Sequence, residues 1–191
     1  AGSTAIVAVY DGRRHILTVA NVGDSMCVLS RSGRAVKMNR VHRVIADLPE
    51  CAPEIARVES TGSRVIHNRV DGVLAISRAF GDVAFKHSPK GPGPLISVPD
   101  ISSEVITPMT EFGIIACDGL WDVMEPQLAV NFIRKLLAQK NDLQHAAAEL
   151  VREALAKGSV DNVTVLIVSF HMVPPSIKEE EETKSGKVGG S

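Results

Sequence analysis

The stretch Phe112-Gly113-Ile114-Ile115-Ala116-Cys117-Asp118-Gly119-Leu120-Trp121-Asp122-Val123 decides how the rest of the chain is read. Residues 114–117 are a short apolar run, the pattern of a buried strand. The run stops at Asp118-Gly119, a turn dipeptide in which glycine supplies backbone angles that other residues avoid. Asp122 follows four residues after Asp118, so a helical turn beginning after Gly119 would point both carboxylates into one small volume. A carboxylate at the exit of a buried strand is costly unless something positive meets it. Two readings stay open here. Asp118 caps the following helix, or it holds a hard divalent cation through oxygen.

The same context recurs twice. Asp24 follows Val22-Gly23, and Asp161 precedes Asn162-Val163-Thr164-Val165. Each of the three aspartates sits where an apolar strand begins or ends. Taken singly, each is a turn residue. Taken together, strand ends on one sheet edge would bring three mutually repelling carboxylates around a cation that removes that repulsion.

Around these points the chain reads as strands first and helices later. Residues 4–10 and 15–21 are β-rich runs joined by an Asp11-Gly12 turn. Residues 27–30 form a third strand ending in the turn Arg31-Ser32-Gly33-Arg34, so the first part is expected to be an antiparallel meander. Residues 38–53 carry Pro49 and Pro53 and show weak periodicity. Residues 54–61 are expected to form a short helix ended by Gly62. A polar-alternating strand is expected over 101–106, with residues 112–117 as its buried neighbour. Two helices follow. The first starts near Pro126. The second is capped by Asp142, carries the stripe Leu143, Ala146, Leu150 and Ala154, and ends at Gly158. A β-branched strand covers 163–170. Composition changes at Pro174, and the chain divides into a domain over residues 1–172 and a tail over 173–191, acidic and then Gly/Ser-rich, without fixed structure.

Global composition narrows the function classes. The chain has 191 residues, 45% hydrophobic and 23% charged, which suits one globular domain. A formal net charge of −1 and 4% aromatic residues give no electrostatic or stacking case for nucleic acid. No apolar stretch approaches the about 20 residues that span a membrane. Cys27, Cys51 and Cys117 are odd in number and lack zinc-ligand spacing. Cys27 and Cys117 lie in apolar runs and are expected to be buried free thiols of a reducing compartment, the cytoplasm or the nucleus. The chain opens Ala1-Gly2-Ser3-Thr4 without a methionine and is read as a piece of a longer protein. Arg78, inside an apolar stretch, needs an anion. It is either a contact for a substrate anion or half of a structural ion pair, with Asp82 as the nearest partner in sequence. His42, flanked by Arg40 and Arg43, is either a ligand or acid or a surface histidine, and the surface is the expected place.

The motifs together resemble the carboxyl-terminal two-thirds of a metal-dependent serine/threonine protein phosphatase of type 2C. The stretches that carry the resemblance occur in the family order. They are Gly2-Ser3-Thr4-Ala5, Asn21-Val22-Gly23-Asp24-Ser25, Glu54-x-x-Arg57 with Gly62, Arg69-x-x-Gly72-x-Leu74-Ala75-x-Ser77-Arg78-Ala79-Phe80-Gly81-Asp82, Asp118-Gly119-Leu120-Trp121-Asp122, and Gly158-Ser159-x-Asp161-Asn162-x-Thr164-Val165.

The resemblance implies an α+β fold: a four-layer α-β-β-α sandwich of two antiparallel sheets, incomplete at its amino end. It implies two or three magnesium or manganese ions at one edge. Asp118 and Asp161 match ligands of the dinuclear centre, while Asp24 and Asp122, with Asp118, match a third and weaker metal site. The implied activity is hydrolysis of phosphoserine and phosphothreonine in proteins by a metal-activated water, with no catalytic residue beyond the ligands. A monomer acting on phosphorylated proteins is expected. The pattern departs from the family in three respects. The acidic pair, the Asp-Gly-His-Gly-Gly motif and the phosphate-clamping arginine of the family's first portion are not in these residues. The Asp-His-x-Pro motif is replaced by Val41-His42-Arg43-Val44, and Met26 and Ser63 stand where Arg and Gly are frequent. These departures keep open an alternative, a pseudophosphatase that has the fold and serves as a binding module.

Overall fold

Residues 114–116 are apolar at every position because the strand they belong to is covered on both faces. In the computed structural model, which describes residues 1–88 and 91–170, this strand is central in a four-stranded antiparallel sheet. The strands that build the molecule's two main sheets are β1 (Ala5–Asp11), β2 (Ile16–Val22), β3 (Met26–Arg31), β4 (Arg34–Lys37), β5 (Asp100–Val105), β6 (Thr110–Ala116) and β7 (Val165–Ser169). The four-stranded sheet has the order β7-β6-β3-β4, and a three-stranded antiparallel sheet has the order β5-β2-β1. The helices are α1 (Ala52–Ser60), α2 (Asp118–Trp121), α3 (Pro126–Gln139) and α4 (Leu143–Ala156).

Alternation along the strands divides the core in two. Leu17 and Val19 of β2 pack against Cys27 and Leu29 of β3, with Ile115 partly buried beside them, so the two sheets stack face to face. On the opposite face of the four-stranded sheet, Val28, Phe112, Ile114, Ala116 and Ile167 meet Val130 and Ile133 of α3 and Ala146, Leu150 and Ala154 of α4. Three of the four expected layers are therefore present among the described residues. The outer face of the three-stranded sheet exposes Val7, Val9, Ile101 and Val105.

Three expectations need correction. The meander over the first strands is split between the sheets: β1 and β2 belong to one, and the chain crosses at Gly23 to begin β3 in the other. The strand at 100–105 does not neighbour β6. It pairs with β2 over Asp100↔Asn21 to Val105↔Ile16, and residues 106–109 carry the chain across the sandwich. Its alternation of half-buried and exposed residues marks a strand with one open face, whereas β6 has none. Cys117 is only half buried, while Cys27 and Cys51 are buried; all three are free thiols. The thiol of Cys27 is pushed up to about 12 by burial.

Other expectations hold to within a residue or two. The turn after β3 places Ser32 and Gly33 at φ 47° and 80°, and Arg31 pairs with Arg34 across it. Pro126 opens α3, and the Asp142 side chain accepts from the His145 N–H at the start of α4. Gly62 and Gly158 follow their helices at φ 91°. A small separate cluster of Val44, Val58 and Val70 lies beneath α1. The expected tail at 173–191 lies outside the described residues.

Candidate metal centre

Register explains why the three strand-end aspartates fall at the same end of the sheet. Ala116, the last residue of β6, faces Met26 at the start of β3 on one side and Val165 at the start of β7 on the other. Asp24 precedes β3, Asp118 follows β6 and Asp161 precedes β7, so all three fall at one end of the sheet. Asp122 joins them through the single turn of α2, whose closing bond runs from Asp122 N–H to Asp118 O at 2.9 Å.

Local contacts hold that turn in place. The Trp121 indole N–H donates to Ala116 O at 3.0 Å and to Met26 O at 3.2 Å, joining α2 to both strand ends. Gly119 passes so close to the neighbouring chain that a Cβ would lie 2.3 Å from Asn162 O. Ser159 Oγ donates to Gly119 O at 2.7 Å. The helix-capping reading of Asp118 is not what the chain does: Asp118 is the first helical residue, Cys117 is the cap, and no side chain caps this turn.

The carboxylates are electrostatically coupled. Burial, followed by the charges of Asp24 and Asp122, pushes the Asp118 carboxyl above its usual range; Asp161 adds to the shift and Arg43 opposes it. No spacing in the sequence marks Arg43 as a site residue, yet it sits among Asp24, Asp118 and Asp122. Its guanidinium reaches Asp24, Asp118 and Asp122 at 3.0, 3.4 and 2.7 Å. Its carboxylate partners Asp24, Asp118 and Asp122 lie 19, 75 and 79 residues away in the chain, so no local signal announces it. Asp161 is exposed, and its side chain accepts from the Asn162 N–H. Hard oxygen donors that repel one another suit a hard divalent cation on the Asp118–Asp161 side. On the other side, Arg43 lies between the carboxylates. Among the described residues no three His, Cys, Asp or Glu side chains are arranged to hold a metal ion.

Arg78 belongs to a structural network, and its partners are Glu54 and Asp100 in place of Asp82. It donates to Glu54 Oε1 from Nη2 at 2.5 Å and to Asp100 Oδ1 from Nη1 at 2.8 Å. Asp82 faces the exposed Ala1 nitrogen at 3.5 Å. Glu54 also accepts from Arg57 at 2.9 Å and from Ser77 Oγ at 2.5 Å. The Glu54-x-x-Arg57 and Ser77-Arg78 motifs are thus two halves of one buried ion network. Burial disfavours its charge, but the hydrogen bonds from Arg78, Ser77 and Arg57 prevail and hold the Glu54 carboxyl down to about 2.

His42, expected at the surface, is 1% exposed. The Gly23 N–H donates to its Nδ1 at 3.0 Å, which makes Nε2 the protonated nitrogen when the ring is neutral. Nε2 faces Asp100 Oδ2 at 3.2 Å, off the line of a hydrogen bond. Burial, and then the charge of Arg78, lowers the pKa of His42. The ring therefore packs the residue before Asp24 into place, a role that no spacing in the sequence announces.

Fold and site together define a two-sheet sandwich protein with an acidic edge built at its strand ends. The family model described as Protein phosphatase 2C matches residues 1–163. "Probable protein phosphatase 2C 27" of Arabidopsis thaliana is 42% identical over 175 residues, covering 91% of this chain and 44% of that protein. "Probable protein phosphatase 2C 43" of the same plant is 44% identical over 176 residues, covering 91% and 40%. Among solved structures, a Toxoplasma gondii phosphatase superposes with a TM-score of 0.71 at 31% identity, covering 82% of this chain and 48% of that one. A sex-determining protein of C. elegans gives 0.75 at 26% identity, covering 88% and 40%. The chain belongs to the protein phosphatase 2C family. It spans less than half the length of the curated relatives it matches.

Proposed function

We propose that this protein removes phosphate from phosphoserine and phosphothreonine side chains of other proteins, with magnesium or manganese as its cofactor. One observation carries the reading: in a chain of this family, antiparallel register brings Asp24, Asp118, Asp122 and Asp161 to one sheet end. Asp118 and Asp161 are the residues that would hold the cation. When bound, a divalent cation supplies an acidified water and a Lewis acid for the phosphoryl oxygens. The chain's own contribution is placement. Trp121 and Gly119 fix the turn that carries Asp118, and the Gly23–His42 contact fixes the segment that carries Asp24. Phosphorylated proteins are the partners this activity requires and a monomer is the simplest state for it. Three free thiols suit the cytoplasm or nucleus. Among the described residues, no helix is long and apolar enough to cross a membrane.

Phosphate release from a phosphothreonine peptide tests the reading on the full-length protein, with manganese present and with chelator as control. Turnover that needs the metal and falls to background in Asp118→Ala is the expected result; undiminished turnover in that variant would sink the metal assignment. A second reading, a pseudophosphatase that binds partners without turning them over, is favoured by the position of Arg43 among the carboxylates. Metal-replete protein that releases no phosphate yet still captures a phosphoprotein would establish it.

A further inference from the structure

The carboxylates around Asp24, Asp118 and Asp122 already have a cation against them, and it belongs to the chain. Arg43 Nε donates to Asp24 Oδ2 at 3.0 Å. Nη1 donates to Asp122 Oδ1 at 2.7 Å, and Nη2 to Asp122 Oδ2 at 3.2 Å and Asp118 Oδ2 at 3.4 Å. The pair with Asp122 is fork-on-fork, the geometry that a planar guanidinium makes and a lysine ammonium does not. The fork bonds these three carboxylates, while Asp161 accepts from the Asn162 N–H.

The backbone beneath Arg43 is pinned. The His42 N–H donates to Gly23 O at 2.9 Å, the Gly23 N–H donates back to the His42 ring, and the Ser77 N–H donates to His42 O at 2.9 Å. Arg43 itself bridges to Ile76 on the neighbouring segment. Only the side chain can leave the cluster, and it has a way out: Arg43 is 21% exposed and Asp122 is 52% exposed.

We propose that Arg43 is the resident cation of the Asp24–Asp118–Asp122 subsite, so that the guanidinium and a divalent ion exclude one another there. The proposal rests on the phosphatase reading and adds that this part of the acidic edge is satisfied without metal. A magnesium ion takes its oxygens at about 2.1 Å, in near-octahedral geometry. The oxygens it would need are those that Arg43 engages, and a guanidinium in hydrogen-bond contact with them would place two like charges in near contact. An ion enters only when Arg43 swings out, giving up four hydrogen bonds to charged acceptors.

The test counts manganese ions bound per molecule of full-length protein, by equilibrium dialysis with detection by electron paramagnetic resonance. Arg43→Gln is expected to bind one more ion than the wild type, which reaches that count only at manganese concentrations higher by a factor on the order of ten. Adding Asp122→Asn to Arg43→Gln is expected to remove the extra ion, whereas Asp122→Asn alone leaves the wild-type count unchanged. Equal, non-zero counts in the wild type and Arg43→Gln overturn the proposal and leave the phosphatase reading standing. Should Arg43→Gln not fold, Asp122→Asn alone decides: loss of an ion from the protein that still carries Arg43 overturns the proposal. No bound ion in any variant overturns both the proposal and the metal-dependent reading beneath it.

Discussion

Glu54 shows how much a single buried charge can organise. It is 7% exposed and accepts from Arg57, Ser77 and Arg78, so its removal would leave two guanidinium groups without their shared anion. Breaking a buried pair from one side costs about 3–5 kcal/mol, and Glu54→Ala is expected to lose stability on that scale in a urea titration near neutral pH. The pH dependence has a definite sign. The folded carboxyl sits at about 2, below the ordinary 4.5, so the stabilisation is fully present above pH 4.5 and is lost as pH falls toward 2. Its size is about 3 kcal/mol. The difference in stability between wild type and Glu54→Ala is therefore expected to be constant from pH 7 to pH 5 and to shrink by pH 3. A difference unchanged at pH 3 would show that the network does not depend on the charge of Glu54.

Two predictions belong to single elements. Helix α4 begins with the Asp142 side chain accepting from the His145 N–H at 2.9 Å, which satisfies one of the donors the first turn leaves free. Asp142→Ala is expected to lower the denaturation midpoint with an unchanged slope. The buried face of α4, Ala146, Leu150 and Ala154, is untouched by the change, so the helix should persist in circular dichroism. In α2 the controlling residue is Gly119. Its Cα lies so near Asn162 that a methyl group would meet the carbonyl at 2.3 Å, and backbone cannot yield as a side-chain tip does. Gly119→Ala is expected to destabilise the protein by about 1–3 kcal/mol, the usual cost of forced overpacking. It should also weaken manganese binding, because the shift separates Asp118 from Asp161. Wild-type manganese affinity in a folded Gly119→Ala protein would show that the α2 turn does not set the metal ligands.

At the scale of the whole molecule, the asymmetry between the two sheets matters most. One sheet is covered by α3 and α4. The outer face of the other carries Val7 beside Ala20 and Ile101, with Val9 and Val105 at its flanks, and these four large side chains are each more than half exposed. The hydrogen-bonded pair Thr18 and Ser103 interrupts this face, but exposed apolar side chains this close together still favour association. The 191-residue chain expressed alone is expected to self-associate and to bind a hydrophobic dye, and the double substitution Val9→Lys with Ile101→Lys is expected to reduce both. A monomeric chain that binds no dye would show that the exposed face is too small or too interrupted to matter.

The sequence alone was enough for the family, the strand-rich first part, the two late helices and the aspartates worth watching. These rest on local chemistry: a buried strand must be apolar, Asp-Gly must turn, and a helix needs its cap and its stripe. It could not show which strands share a sheet. Strand pairing is a long-range choice, and only its register with β2 distinguishes the strand at 100–105 from a neighbour of β6. Nor could it show that Arg43 enters the acidic cluster, that Arg78 answers Glu54 and Asp100 across distant segments, or that His42 is buried. In each case the partner is remote in sequence, and a charge or a ring has no identifiable role until the chain has folded its counterpart against it.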